Sequence, residues 1–316
     1  MRVLSRRLPA LAAATVLAAA CAACGSSQPA TPPASPSVGS SFPATVSAAN
    51  GPVHIGSRPT SIISLSPTST EMLYAIGAGS QVKAVDDDSD YPPQAPMTKL
   101  SGFQPNVEAI VAYKPDLVVV AGNAGGLIGR LAAFKIPVLE LPAATRLSDV
   151  YAQFGELGKA TGHLAQAEQE SAKVRSQLAQ IAAAAPHHTA PLTYYYELDQ
   201  TYYSVTSATF VGQLLQLLGM KSIADAAKGA AAAGGYPQLS SEFIIKANPD
   251  YVILADTLCC RQNAAAVARR PGWSGLTAVK EGHIIALNDD IASRWGPRIV
   301  DLLHTVETAI AKGGKT

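Results

Sequence analysis

The chain has 316 residues, 48% of them hydrophobic, and its 24 basic and 23 acidic side chains leave a formal net charge of +1 at pH 7. This near balance provides no basic field to attract nucleic acid or an anionic membrane surface, so nucleic-acid binding is disfavoured. The length suffices for two lobes of ordinary domain size, each with its own hydrophobic core.

The N-terminal segment has the composition of an export signal. Several arginines precede an apolar run over residues 8–20, which is shorter than the about 20 residues that span a bilayer. Cys21 and Cys24 follow, and the arrangement resembles the lipobox of bacterial lipoproteins. Residues 1–24 therefore predict a lipoprotein signal peptide, with Cys21 or Cys24 lipidated and the chain anchored on the extracytoplasmic face of the cell membrane. An ordinary cleaved signal with two incidental cysteines is the alternative.

The remainder of the chain divides by pattern. Residues 25–57, dense in Ser, Pro, Ala and Thr, predict a disordered tether. Strands and helices alternate over 58–145, the N-terminal lobe, and again over 187–316, the C-terminal lobe, which argues for parallel sheets. Residues 146–186 read as connecting helices with a break at Gly162. The second of these helices, about 22 residues, would be roughly 33 Å long and would join the lobes as a spine.

In chain order, the predicted elements of the first lobe are strand 61–65, helix 70–76, strand 82–85, loop 86–96, helix 107–113, strand 117–121, a Gly-rich turn, helix 127–134 and strand 137–141. Those of the second lobe are strand 192–197, helix 209–218, helix 241–247, strand 250–255, helix 262–268, strand 283–287 and helix 297–311.

Two similar segments lie at matching places in the two lobes. The pattern of residues 108–119 is repeated over residues 242–253, with Glu, Ile, Pro, Asp and Val at the same positions. Each copy predicts a short helix that ends before a proline, at Lys114 or Asn248, followed by a buried strand. The repeat and the spine together predict an α/β fold of two Rossmann-like lobes joined by a single long helix, with a ligand between the lobes.

Cys259 and Cys260 are the only cysteines beyond residue 24. In an oxidising location these neighbours can close a vicinal disulfide, although two reduced thiols are the equal alternative. They do not have the spacing of a zinc site, and no metal site is predicted.

Three runs resemble a known family, the substrate-binding proteins of ABC importers for vitamin B12 and iron complexes, and are most similar to its cobalamin-binding members. The runs are Ser64 to Glu71, Ser89 to Ala95 and Lys114 to Val118. The resemblance covers about residues 58–312. It implies the class III periplasmic-binding-protein fold, a monomer that delivers a small-molecule metal chelate to an ABC permease dimer, and no resident cofactor.

The resemblance also implies a ligand site. Its candidate residues are Phe103, Tyr203, Tyr236, Asp290, Arg294, Asp88 and Ser66. Aromatic faces suit a broad macrocycle, and a charged pair can fix its amide rim. Asp88 and Ala121 stand where the cobalamin-binding members carry aromatics.

Several alternatives to that ligand site stay open. The acidic run 86–88 suits a cationic group, or is a solvated loop. Arg294, with Trp295 and Arg298, suits equally the carboxylates of haem or a ferric siderophore. Asp290 and Arg294 can also form an ordinary ion pair.

Two acids carry the predicted permease contact. By the resemblance, Glu108 and Glu242 present one carboxylate from each lobe to arginines of the permease. Each also lies in the first turn of a predicted helix, where a carboxylate favours the helix dipole.

The rival class is a secreted hydrolase. Ser66, Ser69 and Asp90 supply a serine and an acid, but the chain carries neither a Gly-x-Ser-x-Gly elbow nor a zinc-peptidase motif. The sequence therefore predicts a binding protein and not an enzyme.

Overall fold

The computed structural model describes residues 41–313, which belong to one compact unit. The predicted signal peptide, with Cys21 and Cys24, lies outside the described residues. Within residues 41–313, no helix combines the length and the apolar composition needed to cross a bilayer.

An antiparallel hairpin occupies the end of the predicted tether. It consists of β1 (Ala44–Ala48) and β2 (Gly51–Ile55), so the prediction of disorder up to residue 57 was wrong for this part. Alternation places Val46 and Val53 in the core. Between the two strands, the Asn50 side chain donates to the Val138 carbonyl at 2.9 Å and accepts from the Glu140 amide at 3.1 Å. The hairpin thus belongs to the folded unit.

The N-terminal lobe contains a five-stranded parallel sheet. Its strands are β3 (Ile62–Leu65), β4 (Val82–Asp86), β5 (Met97–Leu100), β6 (Leu117–Val120) and β7 (Val138–Glu140), in the order β5-β4-β3-β6-β7. Its helices are α1 (Pro67–Ala75), α2 (Val107–Ala112) and α3 (Leu127–Ala132). Strand β5 falls just after the predicted loop and was not predicted.

Two helices connect the lobes, as the sequence indicated. Helix α4 (Leu147–Thr161) ends at Gly162, which has a left-handed φ of 78°. Helix α5 (Leu164–Ala184) has 21 residues and is therefore about 31 Å long. The two helices pack against each other, and α5 also packs on the last helix of the chain.

The C-terminal lobe repeats the parallel design with four strands. They are β8 (Leu192–Glu197), β9 (Met220–Ser222), β10 (Tyr251–Leu254) and β11 (Ile284–Ala286), in the order β11-β10-β8-β9. The helices are α6 (Phe210–Gln216), α7 (Ser241–Ala247), α8 (Ala264–Ala268), α9 (Thr277–Lys280), α10 (Asp289–Ser293) and α11 (Ile299–Gly313).

The repeated Pro-Asp pair has the same structural role in both lobes. Lys114 and Asn248 both adopt a left-handed backbone, with φ of 51° and 44°, which ends α2 and α7 before the proline. The Asp116 carboxylate then accepts the backbone amides of Thr60 and Ser61 at 2.8 and 3.0 Å. Asp250 accepts the amide and hydroxyl of Thr193, both at 2.7 Å. Each aspartate thereby fixes the start of the neighbouring parallel strand.

Both faces of the second sheet are covered, as three consecutive tyrosines show. Tyr194, Tyr195 and Tyr196 are all fully buried. Tyr194 and Tyr196 belong to one hydrophobic cluster, and Tyr195 belongs to another. Side chains alternate along a strand, so the two clusters lie on opposite faces of the sheet.

Candidate ligand-binding cleft

A cavity of about 720 Å³ lies between the two lobes. The first lobe lines it with residues at the C-terminal ends of three parallel strands: Ser66 after β3, Asp86 at the end of β4 and Ala121 after β6. The second lobe contributes α10 and the residues that follow it, including Asp290 and Arg294. The carboxyl ends of parallel strands are where open α/β sheets bind ligands, so this cavity is the candidate site.

The lining of the cavity is acidic. Five aspartates line it: Asp86, Asp87, Asp88, Asp90 and Asp290. Among the described residues that line it, Arg294 is the only basic one. A cavity of this charge favours a ligand with positive charge or with N–H donors, and it opposes an anion.

Asp86 is buried beneath the cavity and hydrogen-bonded. Ser89 donates its hydroxyl to Oδ1 of Asp86, and the Ser89 hydroxyl is 3.0 Å from that of Thr70. Burial raises the pKa of Asp86 to about 6; the hydrogen bond from Ser89 opposes this, and the charges of Asp88 and Asp87 add to it. Asp86 therefore exchanges its proton nearer to neutral pH than an ordinary aspartate.

Arg294 joins the two lobes. Its Nη1 donates to Asp90 at 2.9 Å and to Glu71 at 3.1 Å. Its Nη2 donates to Asp290 at 2.8 Å and to the Asp88 carbonyl at 2.9 Å. The ordinary ion pair between Asp290 and Arg294 is therefore present. Three carboxylates share this guanidinium, so it has little charge left for the carboxylates of a ligand.

Glu71 and Arg298 complete this network, in a structural role that the sequence did not predict for either residue. The Glu71 side chain is fully buried, and Arg298 donates Nε to it at 2.9 Å and Nη2 at 2.5 Å. The Arg298 guanidinium also lies 4.2 Å from the ring centroid of Tyr91. The interpretation that Arg298 faces a ligand carboxylate is therefore wrong for this arrangement, because Glu71 holds it. The only sequence signal for this buried role of Glu71 is its place next to apolar residues of α1.

The predicted aromatic residues are exposed. Phe103, at 81% exposure, lines the cavity. Tyr203 and Tyr236, at 42% and 45% exposure, lie on the second lobe outside the cavity lining. Burial raises the pKa of the neighbouring Tyr196, with smaller contributions from Tyr194, Asp289 and Tyr236. Contact of Tyr203 and Tyr236 with a ligand stays a prediction.

Ser66 has a local structural role at the cavity. Its Oγ accepts the Ser69 amide at 3.3 Å and caps α1, and Ser66 is only 1% exposed. Helix α1 begins at Pro67, earlier than the predicted start at residue 70. Contact between Ser66 and a ligand stays a prediction.

The two predicted docking acids occupy equivalent places. Glu108 and Glu242 are exposed in the first turns of α2 and α7. These helices are capped by Asn106 and Ser240, whose side chains accept the amides of Ala109 and Phe243. Hydrogen bonds from its own amide and from the Ser240 hydroxyl lower the pKa of Glu242. Both acids are exposed, and their contact with a permease stays a prediction.

Cys259 and Cys260 form a vicinal disulfide in the structure. It lies in the loop that follows β10, at the same C-terminal edge of the sheet as α10. Of the two states left open by the sequence, the structure has the oxidised one.

Comparison with known proteins identifies the family to which this architecture belongs. The sequence profile of the family described as periplasmic binding protein matches residues 62–291. The chain belongs to this family. The matched region runs from β3 into α10 and so includes both lobes, the connecting helices and most of the cavity lining.

Two relatives span most of the chain. The uncharacterized ABC transporter substrate-binding lipoprotein YvrC of Bacillus subtilis (strain 168) is 30% identical over 279 residues, with 85% of this chain and 86% of that protein covered. The cobalamin-binding protein of Halobacterium salinarum (strain ATCC 29341 / DSM 671 / R1) is 31% identical over 280 residues, with 85% and 74% covered. The predicted family is confirmed.

Solved structures confirm the class III fold. The periplasmic vitamin B12 binding protein BtuF of Vibrio cholerae superimposes with a TM-score of 0.65 at 25% identity, covering 81% of this chain and 98% of that chain. Haem-binding and siderophore-binding proteins share the fold at 17–24% identity. At that level the likeness concerns the fold alone.

Proposed function

We propose that this chain is the extracytoplasmic receptor of an ABC importer, and that it binds cobalamin or a related corrinoid between its lobes. The observation that carries the choice of ligand is the acidic cavity, in which five aspartates accompany one arginine. Two curated relatives, named for cobalamin and for an ABC transporter, support the transport role.

The charge of the cavity favours one class of chelate. Haem carries two carboxylates, and a ferric catecholate complex carries a net negative charge. A corrinoid instead has a rim of primary amides, whose N–H groups donate to carboxylates. Asp87 and Asp88, both exposed, suit such donors. The same carboxylates would repel an anionic chelate.

Exposed aromatic side chains support a broad ligand. Phe103 on the first lobe, and Tyr203 and Tyr236 on the second, each expose more than two fifths of their surface. Large exposed apolar groups beside a cleft commonly mark a binding surface. A macrocycle seated over the cavity would cover Phe103, which lines it, and gain its hydrophobic free energy. Contact with Tyr203 and Tyr236 is part of the proposal.

A titration with competing chelates tests the ligand. The mature protein would be titrated with cyanocobalamin, haem and a ferric catecholate siderophore, with visible absorbance and thermal midpoint as readouts. We expect cyanocobalamin to shift the absorbance and raise the midpoint at the lowest concentration. Tighter binding of haem or of the siderophore would overturn the corrinoid assignment and leave a receptor for that chelate.

A hydrolase is the alternative from another class, and we propose that the chain has no such activity. Among the described residues that line the cavity there is no histidine to serve as a base for Ser66, whose hydroxyl already caps α1. Hydrolysis of chromogenic esters by the purified protein, abolished by Ser66→Ala, would contradict the proposal.

The remaining elements of the proposal are the anchor and the permease contact. Lipidation of Cys21 or Cys24 would hold the receptor at the membrane, and the relative YvrC is named a lipoprotein. Palmitate labelling of Cys21→Ala and Cys24→Ala variants in cells would identify the modified cysteine. Retained labelling in the double variant would overturn the anchor.

A further inference from the structure

A disulfide-closed loop follows strand β10 of the second lobe and lies outside the cavity lining. It comprises residues 257–261, follows β10 at the C-terminal edge of the second sheet, and contains the bond between Cys259 and Cys260. In the first lobe, residues at the C-terminal edge of the sheet line the cavity. In the second lobe, α10 lines the cavity, and it begins at the C-terminal edge of the second sheet. The loop is therefore placed where ligands of this fold class bind.

Asp289 fastens the first half of the loop to α10. Its carboxylate accepts the backbone amides of Thr257, Leu258 and Cys259 at 2.7, 2.9 and 2.8 Å. Burial opposes ionisation of Asp289, but these hydrogen bonds outweigh it and lower its pKa. Asp289 directly precedes Asp290, which lines the cavity, so the loop is fixed to an element of the cleft.

A second set of contacts fastens the other half. The Gln262 side chain donates to the Cys260 carbonyl at 3.1 Å and accepts from Arg270 at 2.8 Å. Arg270 in turn forms two hydrogen bonds to the fully buried Glu197, both at 2.5 Å. The loop is thus held at one end by Asp289 and at the other by Gln262, which Arg270 fixes in turn, and the ring of the disulfide restricts it further between them.

This fixed loop exposes an apolar surface. Leu258 is 60% exposed, and the adjacent Cys259 is exposed as well. A leucine on a mobile loop can turn away from water, but here its backbone amide and both neighbouring amides are bonded to Asp289. A pre-organised apolar group binds a partner with little loss of conformational entropy.

We propose that the loop 257–261 is a ligand-contact element of the cleft, in which Leu258 and the disulfide of Cys259 and Cys260 pack against an apolar face of the bound chelate. The proposal rests on the proposed function, because it takes a corrinoid as the ligand. It adds apolar contacts on the second lobe to the carboxylates of the first. Asp289 acts as a positioning residue.

The test compares variants of the mature protein in titrations with cyanocobalamin. Leu258→Ser removes the apolar side chain, and the double variant Cys259→Ser/Cys260→Ser removes the disulfide ring. The matched control is Leu217→Ser, another exposed leucine at 37%, which lies just before β9 and so at the opposite edge of the sheet. Circular dichroism checks that each variant is folded. If the double variant does not fold, the affinity of the Leu258→Ser variant alone tests the proposed ligand contact.

We expect Leu258→Ser to weaken cyanocobalamin binding about tenfold, as loss of a buried leucine side chain does. The double variant should also bind more weakly, and Leu217→Ser should bind as the wild type does. Equal affinity of the wild type, the Leu258 variant and the Leu217 control would overturn this inference and leave the proposed function standing. Failure of the wild type to bind cyanocobalamin at all would overturn the proposed function, and this inference with it.

Discussion

Glu71 of α1 and Arg298, just before α11, form a buried ion pair that joins the two lobes. Arg298 reaches the carboxylate with two nitrogens, at 2.9 and 2.5 Å, and Arg294 reaches it with a third at 3.1 Å. The Glu71 side chain has no exposed surface, and both arginines that pair with it belong to the C-terminal lobe. This network fixes the orientation of the lobes on either side of the cavity.

Removal of the Glu71 charge should destabilise the protein markedly. In Glu71→Gln the arginine Arg298 remains partly buried without its carboxylate, and loss of one partner of a buried pair costs about 3 kcal/mol or more. The measurement is the free energy of unfolding in urea. The control is Glu170→Gln, which breaks an exposed pair with Lys173 and should cost about 1 kcal/mol at most. Equal losses in the two variants would show that Glu71 does not hold the lobes together.

Charge reversal at the two docking acids should stop uptake without affecting the ligand. Glu108 and Glu242 lie on α2 and α7, outside the cavity lining, so Glu108→Lys/Glu242→Lys should bind the ligand as the wild type does. Uptake of labelled cyanocobalamin by cells should fall to the background level, because lysines would face the arginines that the family resemblance implies on the permease. Normal uptake by the double variant would refute the docking role.

Asp86 should make stability depend on pH. Its pKa of about 6 in the folded protein lies above its usual value of 3.8, so the folded state holds this proton more tightly than the unfolded chain does. The stabilisation from this group is complete below pH 3.8 and is lost as pH rises to about 6, with an upper bound of about 3 kcal/mol. The check is the difference in unfolding free energy between wild type and Asp86→Asn. From pH 4 to 6 the wild type should lose stability relative to the variant, and above pH 6 the difference between them should stay constant. A difference independent of pH would contradict the assignment.

Neutralising exposed carboxylates in the cleft should change the preference between chelates. In Asp87→Asn/Asp88→Asn, repulsion of an anionic chelate falls, and haem affinity should rise about threefold to tenfold at low salt. Added salt should reduce this gain, because it screens exposed charges. Asp301→Asn, at an exposed aspartate on α11 outside the cavity lining, is the control and should leave haem affinity unchanged. A salt-independent effect, or none, would show that the acidic run does not select the ligand.

Local patterns predicted the fold to a large extent. The repeat that begins at Glu108 and at Glu242 predicted two short helices, two helix ends before a proline and two buried strands, all of which the structure contains. The hairpin at Ala44–Ile55 was missed because its composition matches that of the tether. It is ordered through burial of Val46 and Val53 and through contacts of Asn50 with a strand of the first sheet, which are long-range features.

The sequence by itself determined the two α/β lobes, the spine and the family, because periodicity, helix stops and motifs act over a few neighbouring residues. It also brought Phe103, Asp290 and Arg294 forward as candidates. Only the tertiary structure decided what Arg294 and Arg298 face, since their partner Glu71 lies more than 220 positions earlier in the chain. The charge available to a ligand depends on which acids and bases neutralise one another in space, and a linear pattern does not contain those distances.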